Sequence, residues 1–142
     1  MARYWIGVAS HEHVKIGVAE GFAQVCHGKN GPLRKMAPGD WIIYYSPVEV
    51  FASKIPCQKF TALGKIKTGE PYEVRMNEFF SPWRRDVNFV SIVPVAIRNI
   101  LNALSFIKNK KHWGMAFRYG FFEISKHDFQ LIADAMGVAV DD

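Results

Sequence analysis

The run Asp40-Trp41-Ile42-Ile43-Tyr44-Tyr45 constrains the fold more than any other stretch of this chain. Consecutive β-branched and aromatic residues favour a pleated strand, and Pro38-Gly39 before them and Ser46-Pro47 after them close both ends. Shorter strand signals lie at Arg3 to Val8 and at Phe22 to Cys26. Lys59 to Lys67 alternates, with Phe60, Ala62, Gly64 and Ile66 expected on one side, and Val87 to Val95 and Phe117 to Ile124 also read as extended. Gly69-Glu70-Pro71 turns the chain, and His27 to Pro32 reads as a loop.

Helices are marked by their ends. Ser10 is placed to cap one, with Glu12 and His13 in its first turn, Val14, Ile16 and Val18 following, and an end near residue 20. Leu33 to Met36 makes a single turn, and a helical stretch lies near Arg98 to Leu104. Ser125 caps the last helix, with Asp128 positioned as in a capping box and Phe129, Ile132 and Met136 at i, i+3 and i+7. Gly137 ends it. No repeat or linker divides the 142 residues, so residues 1–142 are expected to form one domain that buries about two-thirds of its unfolded surface. Five or six short strands with helices between and beside them predict an α+β domain around a curved sheet or small barrel.

The longest apolar runs are far too short to span a bilayer. Met1-Ala2-Arg3-Tyr4-Trp5 leads into the first strand with no apolar signal region. Cys26 and Cys57 make no disulfide framework, and no Cys/His spacing suits a metal. A reduced cytoplasmic protein without membrane association is expected.

Charge placement says more than the net +5. No Asp or Glu lies between Asp86 and Glu123, an interval that holds Arg98, Lys108, Lys110, Lys111 and Arg118. A second acid-free window, Gly21 to Gly39, holds His27, Lys29, Arg34 and Lys35. If the two fold together they make one positive face, the footprint of a nucleic-acid binder. Phe106-Ile107-Lys108-Asn109-Lys110-Lys111-His112-Trp113-Gly114-Met115 sets cations inside an apolar frame. Cations suit phosphates and ring faces suit bases. The alternative is a solvated turn whose Phe106 and Trp113 are simply core. Phe79-Phe80-Ser81-Pro82-Trp83-Arg84-Arg85 offers rings and guanidinium groups in a turn-rich stretch, or else a loop stapled to the sheet. The 11 Phe and 4 Trp exceed what a core of this size requires, so some rings should reach a surface or pocket.

Catalytic signatures are weak. Phosphate-cradling glycine loops and a nucleophile elbow are absent. His11 and His13 make a poor zinc pair, and adjacent Cys26 and His27 do not make a dyad. Cys26 reads as a small buried hydrophobe. The expectation is a protein that is not an enzyme.

Several blocks together resemble the EVE domain family. They are Tyr4-Trp5-Ile6, Leu33-Arg34-Lys35-Met36 leading to Pro38-Gly39-Asp40, Tyr44-Tyr45-Ser46-Pro47, the Phe106 to Met115 run, and the Ile124-Ser125 to Asp128-Phe129 close. The resemblance implies a PUA-like fold: a curved, mostly antiparallel β-barrel flanked by helices. It also implies kinship with YTH domains, which hold a methylated adenine in an aromatic cage, and hence a reader of modified bases in DNA or RNA.

On that resemblance, Trp5 would lie at the floor or rim of a base pocket, and the segment Gln24 to Lys29 would close one side with Phe22, Gln24 and His27. Tyr45 and Ser46 would end a strand at its mouth, while Phe106 and Trp113 flank a basic edge. Gln24, Ser46 and Asn109 would bond the base edge. Lys29, Arg84, Arg85, Lys108, Lys110 and Lys111 would hold phosphates. No metal or cofactor is implied, and a monomer or weak homodimer is expected. Two alternatives stay open: a sensor of a nucleotide-like anion, and an RNA- or nucleoside-processing enzyme with Lys29 or Lys110 poised in the pocket.

Overall fold

The computed structural model describes residues 2–140; Met1, Asp141 and Asp142 of the expected 1–142 span lie outside the described residues. In chain order the elements are β1 (Tyr4–Val8), α1 (His11–Glu20), β2 (Phe22–Ala23), α2 (Asn30–Lys35), β3 (Trp41–Val48) and β4 (Pro56–Ile66). They continue with β5 (Tyr72–Glu73), β6 (Trp83–Phe89), β7 (Val95–Ala96), β8 (Phe121–Ile124) and α3 (Lys126–Ala135). Short 3₁₀ turns occupy Cys26–Gly28, Ile97–Asn99 and Leu101–Ala103, and a longer one runs Trp113–Tyr119. The strands form one curled sheet in the order β2-β6-β4-β3-β1-β8, with β5 added to β6 and β7 to β4. Its outer strands, β2 and β8, do not close on each other, so the expected α+β barrel is a half-barrel flanked by helices.

All strand pairs are antiparallel except β1 with β3, which run parallel from Tyr4 opposite Trp41 to Val8 opposite Tyr45. Parallel neighbours need a long crossover, and α1, β2 and α2 supply it. Asp40 fixes the start of this pair. Its Oδ1 accepts from the Arg3 N–H (3.0 Å), and its Oδ2 accepts from Trp5 Nε1 (3.1 Å) and the Ala37 N–H (2.9 Å). The carboxylate is buried, so these bonds replace its hydration.

The strand β4 feeds both faces of the sheet because a bulge interrupts its pairing with β3. Tyr44 opposes Ala62 and Tyr45 opposes Phe60, which leaves Thr61 over. Ala62 and Ile66 therefore pack with Trp5, Ile42 and Tyr44 beneath α1 and α2. Phe60 and Leu63 pack on the other face with Ile6, Tyr45, the α3 residues Phe129 and Ile132, and Met136 just after that helix. The alternation of Lys59 to Lys67 does not carry through, since the extra residue turns Phe60 away from Ala62. Buried Ser46 and Thr61 satisfy each other across the bulge at 2.8 Å.

Three further elements depart from the sequence expectation. The turn of α2 begins at Asn30, inside the segment expected as a loop, because Pro32 is tolerated in a first helical turn. The expected Val87 to Val95 strand is two pieces, and Trp83 to Arg85, expected in a turn-rich stretch, open the first of them. Phe117 to Tyr119 are helical rather than extended, because Phe117 turns inward to stack on Tyr45 with ring centroids 3.9 Å apart. Ser125 and Ser10 cap α3 and α1 as expected, accepting from the Asp128 and His13 N–H groups. Asp128 does not close a capping box. It accepts from Ser105 N–H (3.0 Å), Ser105 Oγ–H (2.7 Å) and Phe106 N–H (3.1 Å), which moors the 105–106 loop to α3.

Removing the Asp40 carboxylate leaves the Trp5 indole N–H and two backbone donors without their acceptor. Asp40→Ala should lower the free energy of unfolding by about 2–4 kcal/mol in denaturant titrations. A loss under about 0.5 kcal/mol would show that this buried acceptor does not hold the parallel pair.

Candidate functional site

Because β1 and β3 run parallel, their C-terminal ends leave the sheet side by side. Val8-Ala9-Ser10 turns into α1 there, and Pro47-Val48 enters the loop that carries Phe51, Ala52 and Ser53. Between them opens a cleft of about 540 Å³. Gln24 to His27 form a second wall, Phe117, Arg118 and Gly120 a third, and Phe80 reaches in from the turn before β6. A narrower lobe of about 130 Å³ continues from it past Ala9, His13 and Gln24 to Phe22, Tyr44 and Arg84.

The polar groups are held in place. The Tyr44 hydroxyl donates to the Gln24 carbonyl and accepts from the Gln24 N–H, each at 3.1 Å, so Gln24 is pinned at both backbone atoms. Burial pushes the Tyr44 phenol well above its usual range and keeps it neutral. Arg84 Nε donates to Gln24 Oε1 (3.2 Å), and its guanidinium lies 3.9 Å from the centroid of the Phe22 ring. Burial pushes the Cys26 thiol up, against an opposing pull from Lys29 and Lys35.

No Asp or Glu lines either lobe, whereas His13, His27, Arg84 and Arg118 do. The two acid-free windows meet here: Cys26 Sγ lies 4.0 Å from the Tyr119 carbonyl, and Gln24 to His27 face Phe117 to Gly120. The backbone is also unusual. Cys26 (φ 49°), His27 (φ 59°) and Ala52 (φ 62°) all line the cleft in the left-handed region that L side chains disfavour. Such conformations cost about 1 kcal/mol or more each and persist where the surroundings enforce them, often at functional sites. Gly28 (φ 81°) then lets the loop lie directly on Pro82, where any side chain would collide.

Of the residues singled out in the sequence, Phe22, Gln24, His27, Phe80 and Arg84 line the cleft, as does Phe117, whose ring reads from sequence as either recognition or core. Lys29 is exposed beside it, close enough to act on Cys26. Trp5 lies in the core, stacked on Phe121 at 4.9 Å under the Arg3 guanidinium. Tyr45 and Ser46 are buried; Tyr45 touches the cleft only through Phe117, on which it stacks. Phe106 packs on Phe117 and Phe122, and Trp113 packs edge-on to Tyr45 beneath Arg98.

The loop that carries the basic run serves its own geometry. Asn109 Oδ1 accepts from the Lys111 and His112 N–H groups, and Lys110 Nζ donates to the Leu104 carbonyl at 2.7 Å. Lys108 and Lys111 are exposed on that loop and do not line the cleft. Arg85 alternates with Arg84 along β6 and is buried, with its Nε unpaired. Cleft residues not anticipated from sequence are Ser10, His13, Phe51 and Ser53 as liners, together with Arg118. Only Arg118 carried a signal, its place in an acid-free window.

A family model of the EVE domain matches residues 3–135. The chain is 51% identical over 127 residues to the UPF0310 protein in gntR 5′region of Bacillus licheniformis, covering 89% of this chain and 86% of that one. It is 47% identical to the UPF0310 protein YdcG of Bacillus subtilis, covering 96% and 94%. The fold is shared with protein Atu2648 from Agrobacterium tumefaciens, at a TM-score of 0.60 and 14% identity, covering 99% and 97%. Among the described residues no helix is long and apolar enough to cross a membrane.

Two phenylalanines separate core packing from the cleft wall. Phe51 is 66% exposed, so Phe51→Ala should leave stability within about 0.5 kcal/mol. Phe106→Ala removes a half-buried ring packed against the core and should cost about 2 kcal/mol or more by thermal or denaturant unfolding. Equal costs would contradict this division between cleft wall and core.

Proposed function

The chain belongs to the EVE domain family, and we propose that its cleft takes in one unpaired base of a single-stranded DNA or RNA segment. The observation that carries the reading is the cleft's lining: apolar rings and cationic or neutral polar groups, with no acid. A volume of about 540 Å³ falls within the roughly 300–1,000 Å³ of small-ligand pockets. Phe51, Phe80 and Phe117 offer apolar surface to a base, and the Gln24 amide, Ser10 and His13 offer hydrogen bonds to its edge. His27 and Arg118, with Lys29 and Lys35 at the rim, take the flanking phosphates.

A methylated base suits this site better than a plain one. An added methyl buried against rings contributes about 0.8 kcal/mol, which is roughly a fourfold gain in affinity. The site recognises its ligand and does not transform it: the Tyr44 hydroxyl is committed to the backbone of Gln24, and burial favours the protonated form of Cys26. Cations on two sides of one opening also suit a free nucleotide, and salt dependence distinguishes the two ligands.

Fluorescence anisotropy with short single-stranded DNA and RNA oligomers, each with a plain or methylated adenine or cytosine, tests the reading at several salt concentrations. Binding should weaken with salt at a logarithmic slope of about −2 for three neutralised phosphates, since each contributes about −0.7 on a single strand. Arg118→Ala should make the slope shallower by about 0.7. One modified oligomer should bind more tightly than its plain counterpart. Binding to no oligomer at low salt would overturn the reading, and tight, salt-insensitive binding of a mononucleotide would replace it with a small-anion sensor.

A further inference from the structure

We propose that His11, Glu49 and Cys57 form a site for a borderline divalent transition metal, Zn²⁺ being the best fit, on the outer side of the cleft wall. Among the described residues, these three place a nitrogen, a carboxylate oxygen and a sulfur within 4.8 Å of one another. They converge from three separate elements. His11 is the first residue of α1, Glu49 follows β3, and Cys57 is the second residue of β4. Backbone bonds bring them together: the Glu12 N–H donates to the Glu49 carbonyl (2.9 Å), and the Glu49 N–H to the Ile55 carbonyl (3.1 Å). Sequence spacing hides the group, because His11 lacks a useful neighbour in His13 and finds its partners 38 and 46 residues later.

The side chains are already in contact. His11 Nδ1 lies 2.9 Å from Glu49 Oε1, and the Cys57 thiol hydrogen-bonds the same carboxylate. The carboxylate thus already stands within reach of both the nitrogen and the sulfur. Mixed imidazole, thiolate and carboxylate ligands select zinc or its neighbours over magnesium and calcium, which prefer all-oxygen shells. Three protein ligands leave a fourth tetrahedral position for water. Cys57 anchors the site from the buried side, while His11 and Glu49 are partly exposed and leave an entry path. Binding displaces the thiol proton to solvent and replaces the shared hydrogen bonds with metal–ligand bonds. Thiolate and carboxylate together neutralise the ion.

The site has a structural consequence. Ser10 and His13 at the start of α1, Val48 at the end of β3, and Phe51 to Ser53 on the loop that follows line the cleft next to these ligands. A bound ion would therefore staple the helix to the loop and stiffen one wall of the cleft. The inference stands on this cluster alone and does not depend on what the cleft binds.

Metal-free full-length chain titrated with Co²⁺ and then Zn²⁺ tests it. The expected result is one Co²⁺ per chain, with intense tetrahedral bands and a sulfur-to-cobalt charge-transfer band, displaced by one equivalent of Zn²⁺. Cys57→Ser should abolish the charge-transfer band. His11→Ala should weaken Zn²⁺ binding by about 100-fold or more, since losing even an outer-sphere partner costs about 10–100-fold. Zn²⁺ should raise the melting temperature of the parent chain and not that of His11→Ala, whose fold is checked by circular dichroism. Cys26→Ser should keep the parent's charge-transfer band. No charge-transfer band in the parent, unchanged Zn²⁺ affinity in His11→Ala, or loss of the band in Cys26→Ser would overturn the proposal.

Discussion

The parallel pairing of β1 with β3 is the constraint on which the rest of the structure depends. Antiparallel neighbours would leave the sheet at opposite ends. These two leave together, so the start of α1 and the loop after β3 stand side by side. The cleft opens between them, and the His11, Glu49 and Cys57 cluster lies at the same junction. Asp40 fixes the pairing from the other end by accepting from one residue of β1, from Arg3 just before it, and from the turn that precedes β3. One buried carboxylate thus sets the register that positions a site at the far end of the strands.

Most of the aromatic excess lies inside rather than at a pocket. Phe117 stacks on Tyr45 and meets Phe106, Trp113 and Phe122 edge-on or tilted, a cluster in which each ring contact adds about 0.5–1.5 kcal/mol beyond its buried area. That cluster is why Phe117 to Tyr119 join the helical turn Trp113–Tyr119 although they read as extended in the sequence. It also supports the cleft from below, because Phe117 presents one side to Tyr45 and lines the cleft with another.

What the sequence made legible follows from how local each cause is. The strand at Trp41, the Ser10 and Ser125 caps, and the apolar face of α3 depend on neighbouring residues, and they stand where the pattern put them. The bulge at Thr61 depends on Tyr44 and Tyr45 of another strand, and no local pattern marks it. Asp128 has the spacing of a capping box, yet unpaired N–H groups at Ser105 and Phe106 compete for its carboxylate and hold it. The basic run at Lys108 to Lys111 drew attention by composition, but Lys110 and Asn109 bond the loop's own backbone. Composition found the two acid-free windows; only the fold brings Gln24 to His27 against Arg118. Phe51 and Ser53 carry no local signal, because they become cleft residues through the reach of a loop.

The proposed reading puts a nucleic acid at the cleft and not at the basic loop, and a residue-resolved map separates the two. The measurement is the amide nitrogen–proton spectrum of the ¹⁵N-labelled chain during titration with a single-stranded oligomer carrying a methylated base. Binding through the cleft predicts the largest perturbations at Gln24 to Gly28, Phe51 to Ser53 and Arg118 to Gly120, with little change at Lys108 to His112. Perturbations confined to Lys108 to His112, or none at all, would contradict the assignment of the cleft as the site that receives the base.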